Sequence, residues 1–263
     1  MDASPPTKKS LGQHWLDDDA SLQAMCDAVE LSAADTVLEI GPGPGALTAQ
    51  LVQSAQQVIA VELDPVLARE LPRRVPTGNL TVVHEDILRF DLGILPPGYK
   101  VAANIPYYLT SNVLRLLCES RNPFSRAALL VQKEVAERVC APAGQMSLLS
   151  VSVQFYCEAR LGRVVPAALF TPPPKVDSQI LILHRRLQPL ADVSTKLFFR
   201  LVKAGFSQRR KTLVNSLGAG LHMDREAITS LLVQAGIAPN TRAQSLTLEQ
   251  WVQLYNTMPW DKM

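Results

Sequence analysis

Short apolar runs separated by amphipathic stretches fill the first two thirds of the chain. "TVLEIG" (36–41), "QVIAVEL" (57–63), "LTVVHED" (80–86), "YKVAAN" (99–104) and "RAALLVQ" (126–132) are β-branched and apolar on both faces, as buried parallel strands are. Helix-length stretches lie between them at 45–54, 65–74 and 111–120. This βαβ alternation predicts an open, mostly parallel sheet covered by helices. "SLLSVSVQFYCEARLGRVV" (147–165) and "SQILILHRR" (178–186) predict two more strands, an antiparallel edge hairpin around the proline-rich "FTPPPKVDS" (170–178). After about residue 185 the period changes. "STKLFFRLVKAGFSQ", "RRKTLVNSLG", "DREAITSLLVQAG" and "TLEQWVQLYNTM" have helical spacing and capping residues at their ends. The expected division is an α/β domain over 1–184 and a small all-α domain over 185–263, with a mobile stretch over the first ten residues.

Composition adds limits. The 263 residues suit one large and one small domain, and 47% are apolar. The apolar runs fall short of the ~18–20 residues that cross a bilayer, and "MDASPPTKKS" has neither a signal nor a transit pattern. Cys26, Cys118, Cys140 and Cys157 form no C-x-x-C, against a zinc knuckle or disulfide framework, and fit a reducing cytoplasm. His84, His184 and His222 show no metal-ligand spacing. Residues 1–184 carry 15 basic and 19 acidic side chains, a balance of −4; residues 185–263 carry 11 and 5, a balance of +6. That asymmetry fits either a polyanionic partner for the C-terminal part or a solvated helical surface.

The chemistry gathers at the predicted strand ends. "VLEIGPGPGALT" runs from a strand through Gly41, Gly43 and Gly45 into a helix. Glycines let a backbone turn tightly against a ligand. The spacing does not complete G-x-G-x-x-G, which weakens a pyrophosphate site. Glu62 ends the next strand, where a carboxylate can hold ribose hydroxyls of NAD or S-adenosylmethionine. Asp86 ends the third strand and could accept from an adenine amine, and Glu39 sits just before the loop. Three acids without a basic loop residue suit a sulfonium and an ammonium better than a pyrophosphate.

"VAANIPYY" (101–108) follows the fourth strand into the same region. Pro106 stops the strand and leaves Asn104 and two tyrosines at its tip. For methyl transfer to the exocyclic amine of adenine, two acceptors on the two N–H bonds would aim the nitrogen lone pair at the methyl group. The Asn104 side-chain oxygen and the Ile105 carbonyl, fixed by Pro106, can be those acceptors. Tyr107 can stack on a flipped base. In isolation the motif also admits a second reading, an Asx-type turn with packing tyrosines, which the acidic strand ends beside it disfavour.

"LGQHWL", "VLEIGPGPGALT", "VIAVELD", "HEDIL", "NIPYYLTS", "LLVQKEVAERV", "FTPPPKVDS" and "FSQRRKTLVNSL", in this order over nearly the whole length, resemble the KsgA/RsmA family of rRNA adenine N6,N6-dimethyltransferases. The resemblance implies a class I methyltransferase (Rossmann-like) sheet, S-adenosylmethionine as donor, and dimethylation of two adjacent adenosines near the 3′ end of small-subunit (16S) rRNA; a cytoplasmic location and a monomer are expected beside it. It implies cofactor contacts from His14, Leu16, Gly41, Glu62, Asp86 and Asn104, with Gln13, Glu39 and Gly43 in the same motifs. It also implies a target adenine between Tyr107 and Phe170. The C-terminal domain would bind RNA through Arg200, Lys203, Arg209, Arg210 and Lys211. Two positions depart from the family pattern. Trp15 replaces a phenylalanine and is expected to be a tolerated aromatic swap. Asn112 replaces a proline and would suit a helix N-cap. Alternatives are an Erm-type large-subunit rRNA adenine N6-methyltransferase, a non-catalytic RNA- or DNA-binding relative and, more distantly, a nicotinamide dehydrogenase.

Overall fold

The computed structural model describes Thr7, residues 12–188 and residues 190–260. Apart from Thr7, the N-terminal stretch expected to be mobile lies outside the described residues. The chain forms two compact units: residues 1–137 with 157–185, and residues 138–156 with 186–263. Residues 138–156, placed with the α/β domain by the sequence reading, pack instead with the helical one.

In the first unit the order is β1 (Trp15–Leu16), α1 (Asp19–Val29), β2 (Thr36–Ile40), α2 (Ala46–Ser54), β3 (Gln57–Glu62), α3 (Pro65–Arg74), β4 (Leu80–His84), β5 (Lys100–Asn104), α4 (Thr110–Glu119), β6 (Arg126–Gln132) and α5 (Lys133–Val139), whose last two residues belong to the second unit. After α6 (Leu148–Gln154), which belongs to the second unit, come β7 (Cys157–Val165), β8 (Phe170–Thr171) and β9 (Ser178–Arg185). Seven strands form one sheet in the order β4-β3-β2-β5-β6-β9-β7. The first five are parallel, and β9 and β7 add the antiparallel edge. The continuous apolar runs are explained by position: every residue of β2 is buried, and so is the middle of β5 and β6. β4 departs from the expected two-sided burial, because it is the edge strand and stays half-exposed.

Strand order reverses between β2 and β5, so the chain leaves these two neighbours in opposite directions. The crevice at their carboxyl ends is where open α/β sheets take ligands. Local chemistry sets the flanking elements. Gly45, at φ +97°, starts α2, and Asp64 caps α3 through the Val66 N–H with Pro65 in the first turn. Asn112 does not cap α4. The helix starts two residues earlier, at Thr110, and Asn112 is an exposed residue within its first turn.

In the second unit, α6 packs with α7 (Thr195–Phe206), α8 (Leu213–Leu221), α9 (Arg225–Gln234) and α10 (Leu248–Thr257) around Phe155, Phe198, Leu217 and Trp251. The Phe155 and Phe198 rings stack with centroids 4.7 Å apart. Burying each such side chain contributes about 1.5–3 kcal/mol. The expected strand over 147–165 therefore begins only at Cys157. Ser147 and Ser150 form a reciprocal capping box that starts α6, and the alternation in "SVSV" is overridden by packing against this core.

Candidate active site

A cleft of about 1070 Å³, counting its open mouth, lies at the carboxyl ends of the parallel strands. Gln13, His14, Leu16, Glu39, Gly41, Glu62, Asp86, Asn104, Pro106, Tyr107 and Phe170 all line it. Gly43 does not line it. Its N–H donates to Glu62 Oε2 at 3.1 Å, so it shapes the carboxylate and not the wall.

The acids differ in environment. Glu39, on β2, is 1% exposed, and neither of its oxygens has a well-formed hydrogen bond among the described residues. Burial pushes its carboxyl up to about 8; the neighbouring Thr48 side chain offsets part of this, and the nearby Glu62 charge adds to it. Glu62 accepts from the Asp64 N–H at 2.8 Å as well as from Gly43. Burial raises it, and these two N–H groups favour its charged form. Asp86 lies in the loop after β4, two residues beyond the strand end, and accepts from the Leu88 N–H at 3.0 Å. A buried, unpaired carboxyl costs several kcal/mol unless neutral or matched by a cation. A carboxyl of this kind, buried in the wall of a cleft and with a second acid beside it, fits a ligand that brings positive charge. The residues present therefore fit S-adenosylmethionine.

An N-terminal arm borders the cleft. β1 pairs antiparallel with β8, Trp15 opposite Thr171 and Leu16 opposite Phe170. His14 Nδ1 lies 2.7 Å from the Pro172 carbonyl; a carbonyl only accepts, so Nδ1 carries the hydrogen. The His14 ring stacks on Tyr107 at 6.0 Å and 22°. Asn104 Nδ2 donates to the His14 carbonyl at 3.1 Å. Because that partner can only accept, the amide is held NH₂ to the arm, which leaves Oδ1 as the free acceptor. The Ile105 N–H donates to Leu130 O at 3.2 Å, pinning the backbone of "NIPY" to β6.

Trp15 is 8% exposed, and its ring lies against Gly43. A Cβ built on Gly43 would come within 2.7 Å of the Trp15 ring, and Gly43 sits at φ +56°. Gly43→Ala is thus expected to displace the arm, lowering Tm and weakening S-adenosylmethionine binding by about tenfold, through strain of about 1–3 kcal/mol. Differential scanning fluorimetry with and without cofactor checks both effects. Ile105, expected to offer its carbonyl, lines the cleft, and so do Trp15, Ile87 and Tyr108, which the sequence did not point to as lining residues. These three sit inside motifs already singled out. Their apolar or aromatic character gave no sign of direction.

The sheet order, the switch-point cleft and the acidic strand ends define a class I methyltransferase. Residues 6–259 match the family described as "Ribosomal RNA adenine dimethylase", and the chain belongs to that family. It is a methyltransferase whose donor is S-adenosylmethionine. The chain is 44% identical over 253 residues to a "Ribosomal RNA small subunit methyltransferase A" of Dehalococcoides mccartyi strain CBDB1, covering 94% of this chain and 87% of that protein. It is 39% identical to the protein of that name from Clostridium botulinum strain Langeland, covering 94% and 92%. Among solved structures, a dimethyladenosine transferase from Plasmodium falciparum superposes with TM-score 0.80 at 26% identity, covering 91% of this chain and 95% of that one. The 23S rRNA methyltransferase ErmE superposes with TM-score 0.75 at 29% identity, covering 92% and 98%.

Proposed function

We propose that the chain dimethylates N6 of two adjacent adenosines near the 3′ end of small-subunit rRNA, in the cytoplasm and as a monomer. The observation that carries the catalytic part is the bond from Asn104 Nδ2 to the His14 carbonyl, which leaves Oδ1 as an acceptor in the cleft. The small-subunit assignment is supported by the names of relatives up to 44% identical.

S-adenosylmethionine, when bound, supplies a methyl group activated by its sulfonium. The protein's part is orientation. Glu62 accepts from ribose hydroxyls, Asp86 from the cofactor's adenine amine, and Glu39 faces the cofactor's positive charge. Gln13, His14, Leu16 and Gly41 close the cofactor's walls, and Gly43 acts through Glu62. Asn104 Oδ1 and the Ile105 carbonyl accept the two N–H bonds of the target amine. This biases the nitrogen toward a pyramidal shape and directs its lone pair. Tyr107 and Phe170 flank the target ring. The amine becomes acidic once alkylated, so no strong base is needed, and the proton can pass to solvent.

RNA affinity is assigned to the second unit. Arg200 and Lys203 are exposed on α7, and Arg209, Arg210 and Lys211 are exposed in the turn between α7 and α8. Exposed cations of this kind hold phosphates without reading sequence. Replacing Arg209, Arg210 and Lys211 together by alanine is expected to weaken small-subunit binding and to reduce the slope of log affinity against log salt by about two to three. Filter binding across a salt series checks it.

The test of the function is label transfer from S-adenosylmethionine to small or large ribosomal subunits lacking these marks, with nucleosides identified by mass spectrometry. N6,N6-dimethyladenosine on the small subunit supports the proposal. Label confined to the large subunit would move the chain to the Erm-type reading, and binding without label to a non-catalytic one.

A further inference from the structure

The walls of the proposed base slot come from distant segments, and one dipeptide is bonded to both. Ser178, at the head of β9, is fully buried, and its Oγ lies 2.8 Å from the Tyr107 hydroxyl. It sits in the sheet between Gln132 of β6 and Val165 of β7, so its position is fixed by two ladders. The preceding residue, Asp177, accepts the Ala167 N–H on its carboxylate at 2.9 Å. Ala167 opens the single turn, Ala167–Leu169, that delivers Phe170. The Asp177 carbonyl also accepts the Lys133 N–H at 3.0 Å, anchoring the dipeptide to the end of β6.

A buried hydroxyl is costly without a partner, and Ser178 has the Tyr107 phenol. The phenol is the far end of the Tyr107 ring, so holding it fixes the plane of a half-buried side chain that would otherwise turn about two torsions. On the other side, the Asp177 carboxylate holds the first N–H of the turn before Phe170. We infer that Asp177 and Ser178 are positioning residues that set the facing and spacing of the Tyr107 and Phe170 rings, and through them the fit of the target adenine. This inference rests on the reading of those rings as the walls of the base slot.

The test is a double-mutant cycle on methylation of small subunits, with cofactor affinity and Tm measured for each variant. Ser178→Ala and Tyr107→Phe remove opposite ends of one hydrogen bond. Each is expected to raise KM for the RNA substrate about three- to tenfold with S-adenosylmethionine affinity unchanged. The double variant is expected to match either single one. Asp177→Ala is expected to raise KM similarly, and Asp177→Asn, which keeps an acceptor, to restore it. Effects of Ser178→Ala and Tyr107→Phe that multiply, or that fall on cofactor affinity instead of RNA KM, would overturn the inference. Tyr107→Ala separates the two layers. If it keeps full activity, the base-slot reading itself fails. If it loses activity while the cycle is additive, only the positioning role fails.

Discussion

Replacing Asn104 by alanine is expected to lower kcat about 100- to 1000-fold, the usual loss when one preorganised polar partner of a reacting group is removed. S-adenosylmethionine binding should fall far less, because Glu39, Glu62 and Asp86 remain. The aspartate variant sharpens the test. Asn104 donates to the His14 carbonyl. An aspartate there has two acceptor oxygens and no donor, so one of them faces that carbonyl and the arm is pushed away. Asn104→Asp is therefore expected to be as inactive as Asn104→Ala, although it keeps an acceptor for the amine. Single-turnover methylation with cofactor affinity measured alongside separates the effects. An active aspartate variant would show that the arm does not orient this side chain.

Glu39→Gln is expected to weaken S-adenosylmethionine binding about 100-fold, as loss of one partner of a buried charge pair does. Its protonation gives a second signature. In the cofactor-free protein the Glu39 carboxyl is pushed up to about 8, from an ordinary 4.5, first by burial. A cation placed beside it favours the charged form, so at about pH 7 binding should release close to one proton. Affinity should climb with pH toward about 8 and then level off. Calorimetry in two buffers of different protonation enthalpy reads that proton directly, and equal heats in both would contradict the account. The stability sign is the opposite. A raised carboxyl value means that folding favours the neutral form. The contribution is present in full below about 4.5 and is lost as pH rises through about 8. Glu39→Gln should then raise the Tm of the cofactor-free protein more at about pH 8 than at about pH 5.

Much of this site was legible in the sequence because parallel strands put their ends on one edge. Once "TVLEI", "QVIAVE", "LTVVH" and "KVAAN" are strands, Glu39, Glu62, Asp86 and Asn104 must converge, whatever the details of packing. The alternation in "SVSV" misled because four residues are too few to fix a period, and packing against the helical core overrides it. The serine pair Ser147 and Ser150 was the available signal for a helix start. The membership of residues 138–156 in the helical unit depends on contacts with Phe198 and its neighbours, which no local period encodes. The pairing of β1 with β8 was equally hidden, since two residues on each side carry no pattern. That pairing is what ties the arm, Asn104 and the Phe170 loop together. Trp15 illustrates the same limit. As a swap for phenylalanine it looked neutral, yet its ring occupies the space that a side chain on Gly43 would need.

The most direct test of the account is a crystal structure of the complex with S-adenosylhomocysteine and an adenosine-containing fragment of the small-subunit RNA. The target N6 is expected within hydrogen-bond distance of both Asn104 Oδ1 and the Ile105 carbonyl, with the base between Tyr107 and Phe170. An adenine bound outside that slot, or with its amine turned away from Asn104, would contradict it.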